Sequence, residues 1–248
     1  MIEWSACLAE IKLHKVSGVL QRLVESQEQV ATNQLVGSLD RQAVLEEMLE
    51  ATKPKLRSGT ERLHYLLAAP FRYPPLKHGS RFGSRIEPSL FYGAQETRTV
   101  LAEAAYYRFL FWHGMATPPS RKLDTQHTLF GATYQTDKGL QLQGAPFFAH
   151  HDVLSNPTNY GATQLLGTHM RAAGVEAFEF ISARDPEAGI NVALFVPEAL
   201  DGNAPLFQEA WLCELTGKHV RFHAAHSRNV STFPIETFLL AGKLPQAS

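Results

Sequence analysis

Apolar positions in the first fifty-five residues recur at helical spacing. Val16, Val19, Leu20, Leu23 and Val24 keep the i, i+3, i+4, i+7, i+8 pattern of an amphipathic helix, with Gln21, Arg22 and Glu25 on the other side. A second helix is expected from a cap at Asp40, with Val44, Leu45, Met48 and Leu49 as its stripe, and Lys53-Pro54-Lys55 ends the region. Two such helices cannot bury their stripes alone. The pair therefore reads as a hairpin packed on the main domain, or as an oligomerisation or partner-binding arm. We divide the chain into an N-terminal helical extension over residues 1–58 and a main domain over residues 59–248.

The pattern then changes. A short helix around Glu61 to Ala68 leads to Pro70, followed by a loop carrying Arg72, Arg81 and Arg85 among glycines and prolines. The run Leu90-Phe91-Tyr92 reads as a strand ending at Gly93. A helix follows, capped by Thr97, with Val100, Leu101, Ala104 and Leu110 on its apolar surface as far as His113. Glu103 interrupts that surface, and a carboxylate in a mostly apolar helix is costly to bury without a partner. Thr128 to Tyr134 reads as a strand, with Leu140 to Leu142 as its partner across an Asp137-Lys138-Gly139 turn. A helix from about Ala162 to Ala173 stops at Gly174. Ala177 to Ser182 and Ile190 to Val196 read as central buried strands, residues 210–215 and 220–223 as edge strands, and the tail from Leu240 as loose. Strands mixed with helices, without regular βαβ alternation, give an α+β class.

Composition narrows the picture. A chain of 248 residues, 44% hydrophobic and 19% charged, is long enough for one sizeable core. Its net charge of −1 argues against a general nucleic-acid binder. Cys7 and Cys213 lie far apart with no metal spacing, as in a reducing compartment. No apolar run is long enough to span a membrane and the N-terminus does not read as a signal peptide, so a cytoplasmic protein is expected. His150-His151-Asp152 lacks ligand spacing, because neighbours on an extended chain point to opposite faces, and no metal is assigned.

Arginine suits phosphate because its planar fork donates paired hydrogen bonds and stays charged. The loop arginines can thus hold an anionic ligand, or they can be solvated charges with one pairing Glu103 structurally. The loop matches neither a P-loop nor a G-x-G-x-x-G fingerprint.

The order Phe71-Arg72-Tyr73, Ser80-Arg81-Phe82-Gly83, Leu90 to Ala94, and Glu96-Thr97 through Ala102-Glu103 resembles the RES domain, a family named for its Arg, Glu and Ser. Tyr160 to Gly167, Ile181 to Asp185 and Asn191 to Phe195 resemble its second half, so the likeness covers roughly residues 65 to 225. The resemblance implies a bacterial toxin that consumes NAD, built on a compact, twisted β-core akin to ADP-ribosyltransferases with flanking helices. It implies cleavage of the nicotinamide–ribose bond and transfer of ADP-ribose to phosphate, water or a protein. Glu103 would stabilise the transition state, with Arg72 and Ser182 beside it as catalytic residues. Arg72 and Arg81 would hold the diphosphate or an incoming inorganic phosphate, and Tyr73 and Tyr92 would wall the nicotinamide. Tyr107, Gln164 and Arg184 would complete the NAD pocket.

Tyr107 stands where several such toxins carry a histidine. A tyrosine can donate to ribose but is no base near neutral pH, which counts against direct protein ADP-ribosylation. The resemblance also implies a small helical Xre-like antitoxin as partner. The alternative is a non-catalytic nucleotide-binding or protein-interaction domain on the same fold, which predicts a filled cleft and Glu103 locked in a salt bridge.

Overall fold

The computed structural model describes residues 2–26 and 37–246 of the chain. The class is α+β. Helix α1 (Trp4–Ala9) leads into β1 (His14–Glu25), and α2 (Leu39–Thr52) and α3 (Tyr65–Arg72) precede β2 (Phe91–Ala94). Then come α4 (Thr97–Gly114), the long β3 (Leu123–Gln141), the short α5 (His151–Leu154) and α6 (Gly161–Ala172). The chain closes with β4 (Ala177–Ile181), β5 (Ile190–Leu194), β6 (Phe207–Leu215), β7 (His219–Ala224) and β8 (Val230–Pro234).

The strand order is β1-β2-β5-β4-β3-β6-β7-β8, and β1 also pairs with β3. The first five strands therefore form a closed ring of pairings, and β3 runs on to serve an antiparallel extension, β6-β7-β8. Period-2 alternation then divides the side chains between two faces. Val16, Leu20, Phe91, Phe130, Tyr134, Ala177, Val192 and Leu194 share one cluster, to which α3 adds Leu66, Leu67 and Phe71. Phe178, Phe180, Ala193 and Phe195 face the other way, onto Leu166 and Met170 of α6 and Trp4 of α1. Against the extension lies α4, with Leu101, Ala105, Phe109 and Trp112 on Trp211, Leu215 and Phe222. Gly167 lets α6 pack directly on the loop, since a Cβ there would collide with the Phe82 carbonyl.

Several expectations are corrected. Residues 14–25 form a strand, not a helix, registered antiparallel to β3 from His14 opposite Gly139 to Glu25 opposite His127. Spacings of four fit a helix and a strand alike, and the partner strand, more than a hundred residues away, decides between them. An extension ending at residue 58 is thus no separate unit, because β1 belongs to the central sheet.

Helix α2 does form, but Ser38, not Asp40, caps it by accepting the Arg41 N–H at 3.3 Å. Its stripe is not packed on the domain: Val44, Met48 and Leu49 remain 57%, 62% and 46% exposed. Helix α3 is shifted to 65–72 and contains Pro70. Thr97 gives its hydroxyl to Gln21 Oε1 at 2.6 Å and does not cap α4.

No turn interrupts β3 at 137–139: residues 137–138 lie at a register shift between the β1 pairings Val16–Thr136 and His14–Gly139, and Gly139–Gln141 go on to pair in parallel with Ala177–Glu179. Strands β6 and β7 are internal, with β8 outside them. Part of the tail is docked, the Pro245 carbonyl accepting from Tyr106 at 2.6 Å. His150 and His151 lie on helical turns, not on an extended chain.

Candidate active site

A cavity of about 380 Å³ opens between α4 and the paired strands β2 and β5. Glu103 reaches it from the second turn of α4. Its Oε1 accepts from Ser182 Oγ at 2.6 Å and from Asn191 Nδ2 at 2.7 Å. Ser182 is itself fixed, because at the end of β4 its Oγ accepts the backbone N–H groups of Arg184 and Asp185 at 3.1 and 3.0 Å. That turn is anchored in turn by Asp185, which accepts from Thr99 at 2.8 Å and pairs with Arg98 at 2.9 Å. Glu103 forms no ion pair among the described residues. The carboxylate is therefore oriented by neutral donors at the cavity wall.

Two arginines line the same cavity. Arg81 donates to the carbonyls of Leu154 and Asn156 at 3.1 and 2.8 Å, and its guanidinium lies 4.6 Å from the centre of the Tyr160 ring. Arg22, on β1, donates to the Tyr92 carbonyl at 2.7 Å and packs 5.6 Å from the Phe91 ring. Its Nε is buried with no hydrogen-bond partner. Burial pulls its pKa down from the ordinary guanidinium value, though arginine remains charged under physiological conditions. Arg22 is thus a desolvated cation with an unpartnered Nε and no carboxylate on it among the described residues, an arrangement that suits an anion.

Tyr92 and Tyr107 complete the wall. The Tyr92 hydroxyl accepts from the Phe82 N–H at 3.1 Å and lies 3.0 Å from Ser80 Oγ, and burial raises its pKa. Tyr107 keeps 55% of its surface exposed. Desolvation, then Tyr160 and Glu103, push its pKa up. Both phenols stay protonated at neutral pH.

Of the residues singled out in the sequence, Glu103, Arg81, Tyr92 and Tyr107 thus line one cavity, and Ser182 stands directly behind Glu103. Arg72 and Tyr73 do not: they line a neighbouring cavity, where Arg72 donates to Glu50 at 2.7 Å and to the Pro54 carbonyl at 2.6 Å. Gln164 holds the arginine loop from outside, donating to the carbonyls of His78 and Ser80 at 2.9 and 3.0 Å. Arg184 is buried, 3.6 Å from the Tyr106 ring centre, and donates to the Pro157 carbonyl at 2.7 Å.

Gln21, Arg22, Tyr160 and Asn191 line the site without having been singled out. Asn191 left a trace, as a polar residue inside a run of valine, alanine and leucine. Arg22 left none once β1 was read as a helix, since it then fell on the solvent side.

Among the described residues, no group of histidine, cysteine and acidic side chains could hold a metal ion, and no helix is long and apolar enough to cross a membrane. The family model described as RES domain matches residues 56–216. No curated protein matches the chain.

Proposed function

The chain belongs to the RES domain family, and on that premise we propose that it is an NAD-consuming toxin which cleaves the nicotinamide–ribose bond. One observation carries the reading: a carboxylate held in place by Ser182 and Asn191, without a counter-cation among the described residues, on the wall of an open cavity. Loss of nicotinamide leaves positive charge on the ribose ring, as in glycoside hydrolysis. A fixed anion facing that charge stabilises the transition state more than the ground state. The non-catalytic nucleotide-binding or protein-interaction alternative predicts a salt-bridged Glu103 and a filled cleft, whereas among the described residues Glu103 forms no ion pair and lines an open cavity.

In this reading Arg22 takes the diphosphate role first given to Arg72, with Arg81 beside it. Tyr92 and Tyr107 wall the nicotinamide end, Ser182 orients Glu103, and Gln164 and Arg184 support the loops around them. NAD is the substrate and no metal is needed. ADP-ribose passes to phosphate, water or a protein side chain, and the cytoplasmic partner is a small helical Xre-like antitoxin.

The test is release of nicotinamide from NAD by the purified protein, with and without inorganic phosphate, beside Arg22→Ala. Cleavage by the wild type with a large loss in the variant is the expected result, and a requirement for phosphate would name the acceptor. Intact NAD under every condition, candidate protein acceptors included, would refute the activity.

A further inference from the structure

Arg22 stands in the wall of two cavities. The Glu103 cavity, of about 380 Å³, shares Arg22, Leu76, Ser80 and Tyr92 with a second of about 410 Å³. Each alone lies near the lower end of the ~300–1,000 Å³ typical of ligand pockets. Their walls differ in character. The second is built by α3 and the segment after it, with Tyr65, Ala69, Pro70, Tyr73 and Pro74 on its surface. Lys53 and Arg72 stand on its rim, but Glu50 engages both, at 2.6 and 2.7 Å. What this chamber presents is mainly apolar and aromatic surface, and Arg22, whose buried Nε has no hydrogen-bond partner, lines both cavities.

A molecule that matches has two ring-bearing halves joined by an anionic bridge. We propose that the site is built for a dinucleotide and selects it over a mononucleotide. The diphosphate lies on Arg22, which the two cavities share, the ribosyl-nicotinamide end faces Glu103, and the adenosine half enters the second chamber beside Tyr65 and Tyr73. This rests on the NAD-cleaving reading above. It also gives Tyr73 a place, against adenine and away from the nicotinamide. Bases bind such surfaces well, because every base offers a flat face to an aromatic ring.

The discriminating comparison is NAD against nicotinamide mononucleotide, which has the scissile bond but no adenosine. Both are assayed by nicotinamide release with the wild type, Ala69→Trp and Tyr73→Ala, each checked for its melting temperature. Ala69 lines the second chamber only and is half-buried, so the indole can fill that space. The wild type should prefer NAD by at least tenfold in kcat/KM. Ala69→Trp should erase most of that preference by lowering kcat/KM for NAD at least tenfold, with the mononucleotide changing less than twofold. Tyr73→Ala should act in the same direction and, being on an exposed residue, remains informative if the tryptophan variant does not fold. Equal use of both substrates by the wild type overturns the proposal, as does a variant that lowers both substrates alike or neither. In those outcomes NAD cleavage itself stands. A wild type that cleaves neither substrate sinks the activity and this inference together.

Discussion

Replacing Glu103 with glutamine isolates the charge from the shape. The glutamine amide oxygen can accept the same two hydrogen bonds, from Ser182 Oγ and Asn191 Nδ2, that Oε1 accepts at 2.6 and 2.7 Å. Folding stability should therefore change by less than about 1 kcal/mol, the worth of one ordinary hydrogen bond. Losing the anion is more costly in the transition state. A unit charge about 4 Å from a developing positive charge, at an effective dielectric near 20, is worth about 4 kcal/mol. At about 1.36 kcal/mol per decade this predicts a fall of roughly 1,000-fold in the rate of bond cleavage. Because the charge it opposes exists only in the transition state, the loss should appear in kcat with KM little changed. Single-turnover nicotinamide release, with enzyme in excess, reaches rates that slow. A rate within tenfold of the wild type would refute the electrostatic role of Glu103. A melting curve showing several kcal/mol of lost stability would instead assign the side chain a structural one.

Ser182→Ala removes the acceptor for the buried N–H groups of Arg184 and Asp185 as well as a donor to Glu103. Urea unfolding should show a loss of about 1–3 kcal/mol, accompanied by a lower kcat. His127 governs an acid-sensitive part of the stability. It is 5% exposed, and burial, with the nearby Arg108 charge, pushes its pKa down to about 4 from 6.5. The unfolded chain binds this proton more readily, so the contribution is complete above about pH 6.5 and is lost as the pH falls towards 4. A shift of that size corresponds to about 3 kcal/mol. Urea unfolding at a series of pH values, compared with His127→Phe, checks it, and an unchanged slope between pH 6.5 and 4 in the variant would count against it.

Where neighbours in sequence supply the information, the chain could be read directly. The strand at Phe91, the helix bearing Glu103 and the buried strands ending at Ser182 and starting at Ile190 follow from local periodicity, and they bring Glu103, Ser182 and Tyr92 to one place. Local signals end with local contacts. Val16, Leu20 and Val24 satisfy a helix and a strand equally, and only pairing with β3 makes them a strand. Arg22 becomes a cavity residue by that pairing alone. The opposite error concerns Arg72, whose place beside an aromatic in a glycine-rich loop says nothing of Glu50, the carboxylate on α2 that engages it. A β-strand closes non-local hydrogen bonds, so the residues that complete such a site are assigned to it by chain segments far away. Alternation and spacing thus determined the class of fold and marked the carboxylate as out of place on its helix, and the resemblance to the family singled out the serine. The tertiary structure decided which arginine stands free to meet an anion, because ion pairs and ring closure depend on positions that no short stretch of sequence contains.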